Sequence, residues 1–314
     1  MFKNIVTLAL NPSLDATIWI DNIRIGEENY ATAERYDASG KAVNIARTLK
    51  DYGVENELVL LLGKHNVIPF VNQLNREKIQ YHLIVVEGHT RENLSLVQRD
   101  GSVTRIMRKG FMVEYEAVEE VMLMLENCVS EGTLVVISGR LPEGISVRRF
   151  KAICAKIKAL GGLISIDSRS LALEDLLEIS PWLIKPNRRE FTDLVGRAMQ
   201  THEELAAAAA GLVKKGIGRC LVSLGADGLV YAGEEGVFAV HVPQVIVKSA
   251  VSAGDSLLSG FIKAKMSGKD IRRCLATAAA FGTAACMVDG SVPPPKLSMG
   301  NILGQVQVQE ISLD

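Results

Sequence analysis

The sequence predicts an α/β fold: a doubly wound, mainly parallel sheet with helices on both faces, plus a small β-sheet lid. Two observations carry this reading. From about residue 133 onward, short apolar runs alternate with amphipathic runs of helical period, the pattern of right-handed βαβ units. Residues 12–38 and 90–108 instead alternate apolar with polar, as strands with one wet face do, so they form the lid. Residues 1–314 read as a single domain, because no linker rich in Gly, Pro or Ser divides them.

The opening, Met1 to Leu10, is basic and then apolar, but it runs into Asn11-Pro12 without a small-residue cleavage site, so it is expected to be a buried strand. Asn93 to Gln98 and Val103 to Met107 are lid strands with Asp100-Gly101 as their turn. Small residues at 37–40 precede a helix running to Leu49. Thr133 to Gly139 is a short buried strand, and Arg148 to Leu160 a helix ended by Gly161-Gly162. Leu163 to Asp167 is the next strand, Leu171 to Ile179 a helix, and Trp182 to Lys185 a strand. A helix from Arg188, an Ala-rich helix from Glu203 to Lys215 and the strand Arg219 to Ser223 follow. The strand Phe238 to Val242 leads to an apolar helix, Leu257 to Met266.

Composition narrows the function. With 314 residues and 48% hydrophobic content, the chain supports a sizeable core and is not disordered. A net charge of -1 argues against nucleic-acid binding, which rests on many phosphate neutralisations. No apolar run approaches the roughly 18 to 20 residues that cross a membrane. Five scattered cysteines with no C-x-x-C pair, and histidines without ligand spacing, suggest reduced thiols in a cytoplasmic protein, not disulfides or structural zinc.

The most informative segment is Val251-Ser252-Ala253-Gly254-Asp255-Ser256. Small residues at a helix start let consecutive backbone N–H groups point one way, towards an anion that the helix dipole also favours. Asp255 at the edge of such a cradle can orient an attacking hydroxyl and accept its proton, or simply cap the helix. The dipole favours its ionised form, so it is expected to be a weak base acting mainly by positioning. A cation in the first turn, Lys41, opposes the dipole and is expected to be held there to meet an anion. In Lys185-Pro186-Asn187-Arg188-Arg189-Glu190, Asn187 and Glu190 can form a capping box or hold waters around Mg²⁺ at a strand end. Ser223 to Gly228 is by itself a hairpin connection, and Ser138 to Pro142 and Asp167-Ser168 occupy equivalent strand ends.

Taken together and in order, these segments resemble the PfkB (ribokinase-like) carbohydrate kinases over nearly the whole chain. V-S-A-G-D-S at 251–256 is similar to that family's G-A-G-D signature, and S-G-K-A-x-N at 39–44 to its G-G-K-G-x-N. K-P-N-x-x-E at 185–190, S-L-G-x-x-G at 223–228 and S-G-x-L-P at 138–142 also fit. N-P-x-L-D at 11–15 and T-R-x-N at 90–93 resemble the hexose-phosphate kinase branch, which contains 1-phosphofructokinase, tagatose-6-phosphate kinase and the minor 6-phosphofructokinase. The resemblance implies MgATP as donor, a sugar phosphate as acceptor and a homodimer whose lids clasp. It implies Asp255 as general base, with the helix start from Ser252 to Asp255 as the anion hole, formed by the N–H groups of Ala253 and Gly254. Asp15, Gly40, Asn44, Asn93 and Ser138 would lie at the sugar, and Lys41 and Arg91 at its phosphate. Lys185, Ser223, Gly225, Gly228, Gly254 and Gly282 would lie at ATP, while Asn187 and Glu190 would organise Mg²⁺ through water. Ser39, Ala42 and Ser252 replace family glycines, and a Cβ at 39 or 42 is expected to narrow the sugar pocket or disfavour a positive φ. Fructose 1-phosphate and tagatose 6-phosphate are the leading acceptors, with fructose 6-phosphate next. The alternatives are an unphosphorylated sugar or a sugar-phosphate sensor without turnover. A dinucleotide oxidoreductase lacks its G-x-G-x-x-G.

Overall fold

In the computed structural model, residues 2–313 are described. The chain begins β1 (Asn4–Ala9), β2 (Ser13–Ile20), β3 (Ala33–Ser39), α1 (Lys41–Asp51), β4 (Glu57–Gly63), α2 (Val67–Arg76) and β5 (Tyr81–Val86). It continues β6 (Arg91–Gln98), β7 (Val103–Ile106), α3 (Tyr115–Cys128), β8 (Thr133–Ser138), α4 (Val147–Ala159), β9 (Leu163–Asp167) and α5 (Leu173–Ile179). Then come β10 (Leu183–Ile184), α6 (Arg188–Val195), α7 (His202–Lys214), β11 (Cys220–Ser223), β12 (Leu229–Gly233) and β13 (Gly236–His241). The chain closes with α8 (Ala253–Met266), α9 (Ile271–Ala285), α10 (Lys296–Gln305) and β14 (Gln307–Glu310).

Ten strands form one sheet in the order β14-β13-β12-β11-β10-β9-β8-β1-β4-β5. From β11 to β5 every pairing is parallel, whereas β11 through β14 pair antiparallel. The antiparallel edge follows from the glycine turn at 225–228: the backbone reverses there, as a hairpin does, instead of crossing over through a helix.

Alternation along each buried strand sends side chains to two different cores. Val6, Leu8, Val135, Ile137, Ile164 and Ile166 face α3 to α7 through Val121, Phe150, Leu176, Phe191 and Leu205. Ile5, Leu134, Val136, Leu183 and Leu221 face α1, α8 and α9 through Ile45, Leu258, Phe261 and Leu275. Each fully buried side chain of this size contributes roughly 1.5–3 kcal/mol, so these two layers hold the sheet rigid beneath the site.

A second sheet of four strands, ordered β3-β2-β6-β7, is separate from the first. Its central pair is parallel, with Ser13 opposite Arg91 and Asp15 opposite Asn93. Several boundaries differ from the sequence-based expectation by a residue or two. α5 begins at Leu173, β10 is reduced to Leu183–Ile184, α7 starts at His202, β11 at Cys220 and β13 at Gly236.

Candidate active site

Parallel strands of one sheet leave a crevice at their carboxyl ends. Asp167 at the end of β9, Lys185 just beyond β10 and Ser223 at the end of β11 all line a single cavity of about 610 Å³, a volume usual for small-molecule sites. The small sheet closes the same cavity with Ser13, Asp15, Arg91 and Asn93, and α1 adds Gly40, Lys41 and Asn44. Asn187, Glu190, Gly225, Gly228 and Gly282 line it too, together with the run Ser252 to Asp255. Segments as far apart in the chain as Ser13 and Gly282 thus converge. Ser138 is the exception: it is buried behind the cavity wall, and its hydroxyl donates to Asp167 Oδ2 at 3.2 Å.

At the start of α8, Ser252 adopts a left-handed conformation, φ 63°, which a non-glycine residue occupies at a cost of roughly 1–2 kcal/mol. The turn aims the next amides into the crevice. The N–H groups of Gly254 and Asp255 have no acceptor among the described residues, while that of Ala253 is directed at the Ala250 carbonyl at 3.5 Å. The free donors are therefore shifted one residue along from the expected Ala253 and Gly254. A Cβ on Gly254 would lie 3.2 Å from Lys185 Nζ, so glycine lets that ammonium approach the same amides. Neither Ser39 nor Ala42 has a positive φ, whereas Gly40 and Ser252 do, so the side chains at 39 and 42 bring no such strain. Gly40, at φ 120°, has no room for a side chain: its Cβ would meet Pro12 Cα at 2.9 Å.

Asp255 is 5% exposed. Its Oδ2 accepts from Asn44 Nδ2 at 2.9 Å and from the Ser252 hydroxyl at 3.4 Å, and no hydrogen bond from the described residues reaches Oδ1. Burial raises the pKa of this carboxyl, Lys41 works against the rise, and Asp167 adds to it. This corrects the expectation that the helix dipole keeps Asp255 a weak base. In the buried setting desolvation outweighs the dipole, and the carboxylate is a stronger base than an ordinary aspartate.

Asp167 organises the cations. Its Oδ1 lies 3.0 Å from Lys41 Nζ and its Oδ2 3.2 Å from Lys185 Nζ. Burial alone would protonate it, but Lys185 and then Lys41 hold its pKa below the ordinary value. Lys41 is half-buried, yet the carboxylates of Asp167, Asp255 and Glu190 outweigh its partial desolvation and raise its pKa. Asp167 thus supplies one anionic partner to Lys41 within the fold. The Lys41 side chain remains 39% exposed towards the cavity it lines.

Arg91 donates from Nε and Nη2 to the carbonyls of Pro12 and Asn11 at 3.2 and 3.1 Å, and Nη1 has no partner among the described residues. Burial lowers its pKa, and Asp15 opposes that fall. Asn93 donates to Asp15 Oδ1 at 2.7 Å across the paired strands. Asn187 and Glu190 form a complete capping box, each accepting from the other's backbone N–H at 2.9 and 3.0 Å. Gly228, at φ 86°, passes so close to the Val240 carbonyl that only glycine fits.

Sequence reasoning placed Asp167 at a strand end but gave it no role, because the partners that define that role, Lys41 and Lys185, come from different chain segments. It also missed the apolar cavity wall of Val242, Val245, Val247, Ala279 and Leu257, which reads as ordinary strand and helix packing. Cys286 belongs to this wall as well, a small half-buried thiol.

A profile described as pfkB family carbohydrate kinase matches residues 8–296. The chain is 33% identical to 1-phosphofructokinase of Escherichia coli (strain K12) over 83% of its length and 84% of that protein. It is 30% identical to 1-phosphofructokinase of Vibrio cholerae over 99% of its length and 98% of that protein. Phosphofructokinase-2 from Escherichia coli in complex with fructose-6-phosphate superposes with a TM-score of 0.89, at 24% identity, over 97% of this chain and 99% of that one.

Proposed function

The chain belongs to the pfkB family of carbohydrate kinases, and on that premise we propose that it phosphorylates fructose 1-phosphate with the γ-phosphoryl group of ATP. It is a sugar-phosphate kinase, a phosphotransferase with an alcohol acceptor. The observation that carries the proposed chemistry is the pairing of a buried carboxylate with two free amides, Asp255 beside the N–H groups of Gly254 and Asp255, in one cleft.

The acceptor hydroxyl attacks the γ-phosphorus, the bond between phosphorus and the β,γ-bridging oxygen breaks, and ADP leaves. Asp255 accepts the hydroxyl proton as the new bond forms. Its raised pKa suits this role, and Asn44 holds Oδ2 so that Oδ1 is left for the proton. The free amides and Lys185 bear on the equatorial oxygens of the transferring group, where negative charge gathers. Both polar ends of Asn44 are engaged within the protein, with Asp255 and Arg47. Its proposed contribution to sugar binding is therefore indirect, through the base.

Lys41 and Arg91 support an acceptor that already carries a phosphate, since a point charge and a planar fork match a dianion. Asp15, Gly40 and Asn93 take the sugar hydroxyls. On the nucleotide side, Ser223, Gly225 and Gly228 follow the phosphates and ribose. Gly282 lies against the base, where a Cβ would already meet Leu257 Cβ at 3.2 Å. The residues present fit Mg²⁺. Glu190 uses one carboxylate oxygen in the capping box and retains the other, whereas Asn187 Oδ1 already accepts a backbone N–H, so it acts through water. Asp167 is not a ligand, because its oxygens face two ammonium groups. When bound, Mg²⁺ neutralises charge on the β- and γ-phosphates.

The four-stranded sheet acts as the lid over the acceptor. Val103, Ile106, Met107 and Tyr36 are exposed on or next to it, which supports a homodimer joined through this sheet. Among the described residues no helix is long and apolar enough to cross a membrane. The test is ADP release with MgATP and a panel of fructose 1-phosphate, tagatose 6-phosphate, fructose 6-phosphate and free fructose. Highest kcat/KM on fructose 1-phosphate is the expected result. Binding of all four without ADP release would overturn the kinase reading, and preference for free fructose would remove the role of Lys41 and Arg91.

A further inference from the structure

At the opposite end of the parallel strands from the active site, three side chains distant in sequence meet. Glu57 opens β4, His82 lies at the start of the edge strand β5, and Cys128 is the last residue of α3. His82 Nε2 is 2.6 Å from Glu57 Oε2, and one donor atom from each of Glu57, His82 and Cys128 lies within 4.8 Å of the others. We propose that Glu57, His82 and Cys128 form a zinc site, with water as the fourth ligand.

The donor set argues for this ion. An imidazole nitrogen, a thiolate and a carboxylate together suit a borderline-soft divalent cation and not a hard one such as Mg²⁺. With Zn–S near 2.3 Å and Zn–N or Zn–O near 2.0–2.2 Å, tetrahedral ligand atoms stand about 3.3–3.8 Å apart. Binding would draw the three donor atoms together from their present spacing by rotation about side-chain torsions. Two of the three ligands stand on neighbouring strands of the rigid sheet, whose pairing is continuous from Leu58 to Gly63. The third stands at the carboxyl end of a 14-residue helix, where the dipole favours a cation and the last turn has no basic side chain to supply one. Binding releases the Cys128 proton to solvent. The ion would tie the edge strand β5 and the end of α3 to β4, and it would take no part in phosphoryl transfer. The other cysteines do not compete: Cys154, Cys220 and Cys274 are buried in the core, and Cys286 lies in the active-site wall.

Chelator-treated full-length protein is titrated with Co²⁺ in excess Mg²⁺, which occupies oxygen-only sites, and then with Zn²⁺. The expected result is one Co²⁺ per chain with a thiolate-to-cobalt charge-transfer band that Zn²⁺ abolishes. Cys128→Ser should lose the band, and both Cys128→Ser and His82→Ala should bind at least tenfold more weakly, while Cys128→Ser keeps wild-type kinase activity. Zn²⁺ should raise the melting temperature of the wild type and not that of Cys128→Ser. No band in the wild type, or a band that persists in Cys128→Ser, overturns the site.

Discussion

Asn44 donates its side-chain amide to the carboxylate of Asp255 at 2.9 Å, across 211 residues of sequence. This bond joins the first turn of α1 to the first turn of α8, and so ties the segment proposed to meet the sugar to the segment proposed to carry the base. It also leaves one carboxylate oxygen free within a buried setting, which is what proton abstraction requires.

Asp255→Asn should lower kcat by about 10²–10⁴-fold with nucleotide binding nearly intact. The variant should melt no lower than the wild type, because it removes a charge that burial disfavours. Steady-state kinetics, nucleotide titration and thermal melts check the three parts, and unchanged turnover would remove the base assignment.

The acid limb of the pH profile should report the same group. Burial raises the folded-state pKa of Asp255 above 3.8, so activity falls as pH drops through that raised value and the base becomes protonated. The corresponding stability term has the opposite sense: native Asp255 binds its proton more readily than the unfolded chain, so its ionisation costs stability at neutral pH. A kcat/KM profile whose acid limb lies at the ordinary aspartate value would contradict this.

Asp167→Asn should destabilise the protein by about 3–5 kcal/mol at pH 7, since it leaves the buried Lys185 ammonium uncompensated. Lys185 and Lys41 hold the Asp167 pKa low, so its stabilisation is present above the unfolded carboxylate pKa and is lost as pH falls through the folded one. Denaturant unfolding at neutral pH and below about pH 4 should show the gap between wild type and variant narrowing in acid.

Arg91→Ala should raise the KM for the sugar phosphate by at least tenfold and that for ATP much less, as loss of a charge-assisted contact of about 1.5–3 kcal/mol predicts. Equal changes in both constants would count against a role at the acceptor phosphate.

Gly40→Ala should cost about 1–3 kcal/mol, because φ 120° and the Pro12 contact at 2.9 Å both exclude a side chain. The backbone shift would displace Lys41, so kcat should fall as well. Circular-dichroism melts and kinetics test the pair.

Much of this architecture is legible in the sequence wherever the signal is local. The alternation of apolar runs from Thr133 onward is the two-sided burial of β8 to β11, and the hairpin at Asp100-Gly101 joins β6 to β7. Short motifs at 39–44, 185–190 and 251–256 all reach one cavity. Pairings between distant segments are not legible in this way. Nothing in the neighbours of Asp167 shows that Lys41 and Lys185 will share it, and the spacing of Glu57, His82 and Cys128 resembles no ligand motif. Ser138 illustrates the converse: its motif fits, yet its hydroxyl is directed at Asp167 and not into the cavity.

Arg91 and Asp15 stand on a four-stranded plate, whereas Asp255, on α8, and Lys185, just beyond β10, belong to the ten-stranded slab and the helices packed on it. In the proposed mechanism, part of the grip on the sugar and the activation of its hydroxyl thus fall to separate bodies. A shift of one body against the other by about 1 Å could slow the reaction by about 10²-fold with every contact inside each body intact. Substitutions along the seam between them, far from any reacting atom, would then alter turnover as strongly as changes in the motifs themselves.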